Sequence, residues 1–200
     1  MSFAFGGFAG PQTVEVEITT DALRVSGTIQ TPFRRVAEIL NQLPSGHLTV
    51  EDATIVEHAG GTPVIAPSAL VAVDAVLTME AAGLGDEARD DMRIQKRQIR
   101  AQVTIPPLRL VGTVHVTMGS TSIDGLLNVP DRFLPMTDVT VTSTVHPGLG
   151  GQVPILAFRR DRAQALVVAD DEGPDELLAD VLDEGTARSW LGPDDEAIGS

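Results

Sequence analysis

Leu23-Arg24-Val25-Ser26-Gly27-Thr28-Ile29 and Leu108-Arg109-Leu110-Val111-Gly112-Thr113-Val114 are two versions of one seven-residue phrase, set 85 positions apart. Each alternates apolar with polar residues, the period of a strand that buries one face. Each also puts a glycine where an inward-facing apolar residue is due. That placement predicts a bend or a close backbone approach, which a small barrel needs at its corners.

Further matches follow outward in the same order. Ile39-Leu40-Asn41 corresponds to Leu126-Leu127-Asn128, and Asp52-Ala53-Thr54-Ile55 to Asp138-Val139-Thr140-Val141, at offsets of 87 and 86. Pro63-Val64-Ile65-Ala66 aligns with Pro154-Ile155-Leu156-Ala157, and Ala69-Leu70-Val71 with Ala165-Leu166-Val167, at 91 and 96. Collinear matches predict a duplication. The expected fold is mainly β: two tandem small five-stranded barrel-like domains, each with one short helix, followed by an acidic C-terminal helix or tail. Residues 1–12 form a flexible N-terminal segment, 13–82 the first repeat, 83–98 a charged linker, 99–170 the second repeat and 171–200 the tail.

Within each unit the spacing is specific. Val14, Val16 and Ile18 alternate as a first strand, as do Ala101, Val103 and Ile105. Phe33, Val36, Ala37 and Leu40 fall at helical spacing, predicting a helix over 33–41 that Asn41 stops in the left-handed conformation. Ile123, Leu126 and Leu127 repeat the pattern before Asn128. The apolar phase slips at Glu51-Asp52 and at Thr137-Asp138, which predicts a bulge or turn at both. The closing strands read as Val71, Val73, Ala75, Leu77 and as Ala165, Val167, Ala169. The expected core is Val25, Ile29, Leu40, Ile55, Val71 and Val73 in the first copy, with Leu110, Val114, Leu127, Val141 and Val167 in the second.

Composition narrows the chemistry. Aromatic residues make up 4% of the 200, so the cores must be filled by aliphatic side chains. The chain has no cysteine, which removes disulfides, thiolate catalysis and Cys-ligated zinc, and fits a reducing cytoplasm. No stretch approaches the roughly 20 apolar residues of a membrane helix, and the glycine-broken start carries no basic leader region. His47, His58, His115 and His146 have no metal-ligand spacing. Neither a Gly-x-Ser-x-Gly elbow nor a Ser-x-x-Lys motif occurs. The glycines of Pro147-Gly148-Leu149-Gly150-Gly151 lack the Lys that a phosphate loop requires. These features predict no enzyme, no metal and no cofactor.

Charge is unevenly placed. Residues 170–200 hold eleven of the 28 carboxylates and one of the 14 Lys and Arg, a net −10 out of −14, leaving −4 for the body. Two basic clusters stand out there: Arg93, Lys96, Arg97 and Arg100, and Arg159, Arg160 and Arg162. Residues 86–97 read as a charged helix carrying the first cluster, with acids in its first turns where the helix dipole favours them. These seven residues are the candidate polyanion contacts. In the tail, Leu177, Leu178, Val181 and Leu182 share one helical face between Pro174 and Gly185. With Trp190 they form a candidate docking motif for the body or for a partner.

The Gly27/Asn41 and Gly112/Asn128 blocks resemble the first motif of Sm-like proteins, in which a bent strand reads apolar-x-Gly-x-apolar and an Asn precedes the next strand. The resemblance implies short SH3-like barrels and RNA as a ligand class. The Ile-Arg-Gly of the family's second motif is absent from the closing strands, so no RNA-pocket residue carries over. Arg132-Phe133-Leu134-Pro135-Met136-Thr137-Asp138-Val139 is similar to a stretch in bacterial families of unknown function, which implies no activity. The expected function is a non-enzymatic protein-binding or assembly module that pairs with a partner, or with itself, through edge strands. The alternative is an Sm-like RNA binder whose acidic tail competes for its cations, a reading against which the net charge argues.

Overall fold

The computed structural model describes residues 10–43, 45–84, 96–117 and 129–168. The protein is mainly β with little helix. Ten strands occur among the described residues: β1 (Gln12–Thr19), β2 (Leu23–Thr31), β3 (His47–Glu57), β4 (Val64–Ala72), β5 (Thr78–Ala82), β6 (Lys96–Ile105), β7 (Leu108–Thr117), β8 (Phe133–Thr142), β9 (Gly151–Arg159) and β10 (Ala165–Val168). One short helix, α1 (Val36–Asn41), joins β2 to β3. Among the described residues, no helix is long and apolar enough to cross a membrane.

All ten strands form one antiparallel open sheet in the order β10-β6-β7-β8-β9-β5-β1-β2-β3-β4. Its two ends are β10 and β4. The first half reads β5-β1-β2-β3-β4 and the second β10-β6-β7-β8-β9. In neither half does the fourth strand pair with the fifth, so neither is closed by a continuous hydrogen-bonded ladder.

The predicted bends are present, for a steric reason. Gly27 faces Val16 and Gly112 faces Ala101 across their ladders. A Cβ on Gly27 would sit 2.5 Å from the Glu51 carbonyl oxygen, and one on Gly112 would sit 2.8 Å from that of Thr137. Opposite each glycine the partner strand carries one extra residue, a bulge that shifts register between Ser26 and Thr28 and between Val111 and Thr113. Asp52 and Asp138 take the left-handed backbone there, at φ of 49° and 52°, a region that Asp tolerates better than most side chains.

Burial follows the alternation. Val14, Val16, Ile18, Val25, Ile29, Val50, Ala53 and Met79 form one cluster with Val36, Ala37, Ile39 and Leu40 of α1. Ile99, Ala101, Val103, Ile105, Leu110, Val114, Met136, Val139, Leu156 and Phe158 form a second. A six-residue helix is unstable alone. α1 is held by four buried side chains rather than by a cap, since Arg35 at its N-cap makes no side-chain capping bond.

Several expectations need correction. Asn41 does not end α1 in the left-handed conformation; the next residue, Gln42, closes the helix with φ of −102°. The closing strands are β5 and β10, while Val73–Ala75 forms a 3-10 turn, as Arg160–Arg162 does after β9. Ala69–Val71 lies in β4 beside β3, whereas Ala165–Val167 lies in β10 beside β6, so that match joins strands in different places. By ladder position Ala66 answers to Val153, across Ala53 and Val139, and not to Ala157. The misplacement explains why Val167 is 46% exposed instead of buried. Leu166 pairs with buried Val103, and a one-residue step turns Val167 to the other face. Ile55 is half-buried. Lys96 and Arg97 open strand β6 rather than ending a helix. The expected helix at 123–127, with Leu127, lies outside the described residues, as does the tail.

Candidate functional site

The two halves meet where β5 pairs with β9, with Thr78 opposite Phe158, Met79 opposite Ala157 and Glu80 opposite Leu156. Leu77 extends this seam in both directions. Its N–H donates to the Thr19 carbonyl, and its own carbonyl accepts from the Arg159 N–H, each at 2.8 Å. The two clusters exchange residues across the seam: Phe133 and Ala157 pack into the first, and Leu77 into the second. Fully burying a Phe or Leu side chain stabilises by about 1.5–3 kcal/mol. The exchange therefore ties the halves together by at least as much as the three ladder pairs do.

Polar contacts frame the seam. Asn41 of α1 bonds both backbone groups of Phe133. Asp74 receives Arg132 at 2.6 Å, and Asp21 receives Arg162 through both oxygens at 2.8 and 3.0 Å. Arg159 is 7% exposed. Its Nε and Nη2 donate to the two Asp161 oxygens at 2.7 and 3.0 Å, and its Nη1 donates to the Asp74 carbonyl. The hydrogen bond from Arg159 holds the Asp161 carboxyl below its usual range, and that from Arg132 does the same for Asp74.

Four of the seven candidate polyanion residues are therefore tied to protein oxygens, and Arg97 has an interaction of its own. Arg159 and Arg162 hold the carboxylates just described, the Arg160 guanidinium donates to the Val129 carbonyl, and Arg100 reaches the Asp138 carbonyl at 3.4 Å. Arg97 and Arg100 are three apart on one strand and so point to opposite faces. Lys96 begins β6, while Arg93 lies outside the described residues. So do Leu177, Leu178, Val181, Leu182 and Trp190.

A groove of about 920 Å3 runs beside the seam, lined by Glu15, Glu17, Glu38, Asp52 and Glu80 with Arg34 and Arg35. Burial raises the Glu80 carboxyl to about 7, and the charge of Glu17 adds to the rise. Glu17 is itself paired with Arg24 at 3.7 Å. A carboxyl raised in a cleft can mark a working acid or base. Here burial under the seam strands and a like charge across the ladder account for the rise. Among the described residues no group of three or more His, Asp or Glu could hold a metal ion.

His58 and His146 are 88 positions apart in the sequence. The fold brings their rings to 5.4 Å between centroids, with His58 Nε2 donating to the Thr20 carbonyl at 3.0 Å. No signal in the sequence links them.

The outer edges differ from the seam. On β9 the run Leu156 to Arg159 is wholly buried. On β4, the edge strand in the corresponding place, Leu70 is 71% exposed and Ile65 80%. No family model matches this chain, and neither a curated protein nor a solved structure matches it.

Proposed function

We propose that the chain is a non-enzymatic module for protein binding or assembly, built from two copies of one five-stranded, partly open barrel, and that it acts through its edge strands. The observation that carries this reading is the exposed apolar run on β4: Val64, Ile65 and Leu70 stand on a strand whose outer edge is unpaired among the described residues. Such an edge is a template for another strand, and proteins that do not use it shield it with charge, proline, a bulge or a short strand. β4 has no charged residue over Val64–Ala72, and Pro67 is the one residue on it that blunts an edge. The duplication is supported by the common strand order, by bulges at Asp52 and Asp138 and by the close approach at Gly27 and Gly112. A cytoplasmic location belongs to this reading and rests on the absence of cysteine.

The test compares the full chain with a double variant, Ile65→Lys and Leu70→Lys, as bait. Both side chains are exposed, so the fold should persist while retention of the partner is lost. Equal retention by both would remove β4 from the function. RNA binding loses support from the arginines of 159–162, whose guanidinium groups are taken up by Asp161, Val129 and Asp21.

A further inference from the structure

Among the described residues, the seam between β9 and β5 is where a fourth strand of one half meets a fifth strand of the other, and the sheet ends on one further strand of each kind. β4 stands to β3 as β9 stands to β8: Leu48 pairs with Val71 and Ala53 with Ala66, just as Leu134 pairs with Phe158 and Val139 with Val153. β10 stands to β6 as β5 stands to β1, with Leu166 opposite Val103 where Met79 is opposite Ile18. The register of the seam can therefore be carried to the free edges without adjustment. Thr78–Phe158 becomes Ala165–Val71, Met79–Ala157 becomes Leu166–Leu70, and Glu80–Leu156 becomes Val167–Ala69.

Resting on the edge-strand reading above, we propose that the occupant of each free edge is a second copy of this chain, with β4 of one copy pairing antiparallel with β10 of the next in that register. The side chains favour it. In the seam, Ala157 points away from its own half and packs into the first cluster beside Met79. Leu70 holds the corresponding place and points away from its own core into solvent. Paired as proposed, it meets Leu166, which is half-buried against the second cluster. All three pairs are apolar, and the exposed Leu70 and Val167 would both be covered.

The copy-to-copy contact is weaker than the seam. Ala72 holds the ladder position of Arg159, and Gly46 accepts from Val73 N–H as Arg132 accepts from Arg160 N–H, so the ion pairs around Asp74 have no equivalent. Because the two edges differ, the contact is head-to-tail, giving a ring where the rotation closes and a filament where it does not.

Cysteine cross-linking tests this directly, since the chain has no cysteine of its own. Full-length Leu70→Cys and Leu166→Cys chains are made separately, mixed and mildly oxidised. The expected product is a mixed disulfide dimer, with little product from either variant alone. Light scattering on the unmodified chain should give at least twice the mass of one chain at high concentration. Leu70→Lys should return it to a single chain with an unchanged circular dichroism spectrum. A Leu70→Cys chain that links to itself would overturn the register in favour of β4 against β4. An unmodified chain that stays single at all concentrations and yields no mixed disulfide would overturn the proposal. If that single chain still binds a foreign protein and loses it on Leu70→Lys, the edge-strand reading stands without the second copy. If it binds nothing, both fall.

Discussion

Asn41 treats Phe133 as a neighbouring strand would. Its Nδ2 donates to the Phe133 carbonyl at 2.9 Å, and its Oδ1 accepts from the Phe133 N–H at 3.0 Å, across 92 positions of chain. The amide stands in for a piece of backbone where β8 begins, beside the seam. It also fixes α1 against the strand that sends Phe133 into the first cluster.

Removing that amide should cost both bonds and leave two partly buried backbone groups to find water. Asn41→Ala is expected to lower unfolding stability by about 1–3 kcal/mol. Asn41→Asp keeps the acceptor but sets a second, charged oxygen against the Phe133 carbonyl, so it should cost at least as much as Asn41→Ala at neutral pH. Urea midpoints measure this. A loss below about 0.5 kcal/mol for Asn41→Ala would mean that the contact does not hold the halves together.

The two bends make a graded prediction. Gly27→Ala sets a Cβ against the Glu51 carbonyl and should cost about 1–3 kcal/mol. Gly112→Ala, with slightly more room, should cost somewhat less. Gly10, with nothing within 4 Å, is the control and should be neutral to substitution by Ala. Thermal melts of the three rank them. A neutral Gly27→Ala would show that the strands relax at the bulge.

Truncating the large side chains where α1 and β8 meet in the first cluster should be severe. Phe133→Ala is expected to cost about 3–5 kcal/mol and Leu40→Ala about 2–5 kcal/mol, the range for buried large side chains. Costs below about 1 kcal/mol at both, read from denaturant unfolding, would place α1 and β8 apart.

Glu80 gives a pH signature of definite sign. Its carboxyl rises from 4.5 to about 7 on folding, so the fold prefers the protonated form. Stability attributable to this residue is full below pH 4.5 and is lost as pH rises through about 7. A fully buried group with that shift would contribute about 3 kcal/mol, and solvent screening of half-buried Glu80 reduces this to about 1–2 kcal/mol. Glu80→Gln should therefore stabilise the chain at pH 8 and change little near pH 5. Melting temperatures across that range decide it, and a variant with the same pH dependence as the parent would remove Glu80 as the cause.

Much of the local architecture can be read from residues close together in the chain. Alternation at Val14, Val16 and Ile18 makes a strand with one buried face, because successive side chains must point to opposite sides. The glycine in Leu-x-Val-x-Gly announces a close approach because no other residue fits one. The phase slip at Asp52 and Asp138 announces a bulge because one extra residue reverses the face of all that follow. The same parity rule marks where sequence reading failed. A match made on Ala-Leu-Val alone placed 165–167 one step and one strand away from its true position, and turned Val167 inward.

What only the tertiary structure decided is the meeting of the halves. The ladder of β5 with β9 is made by backbone N–H and C=O groups, which every non-proline residue carries, so the ladder alone does not name the partner strand; the apolar side chains that cross it come from distant parts of the chain. Arg159, Arg160 and Arg162 looked like a surface cluster because sequence counts charges without locating the oxygens that will surround them. Folding brought Asp74 and Asp21 to that place, beside Asp161 of the same run. The sequence by itself determines strands, bends and bulges, whose causes lie within a few residues. The order of those strands, and which edges remain free, follows from which distant surfaces exclude water together.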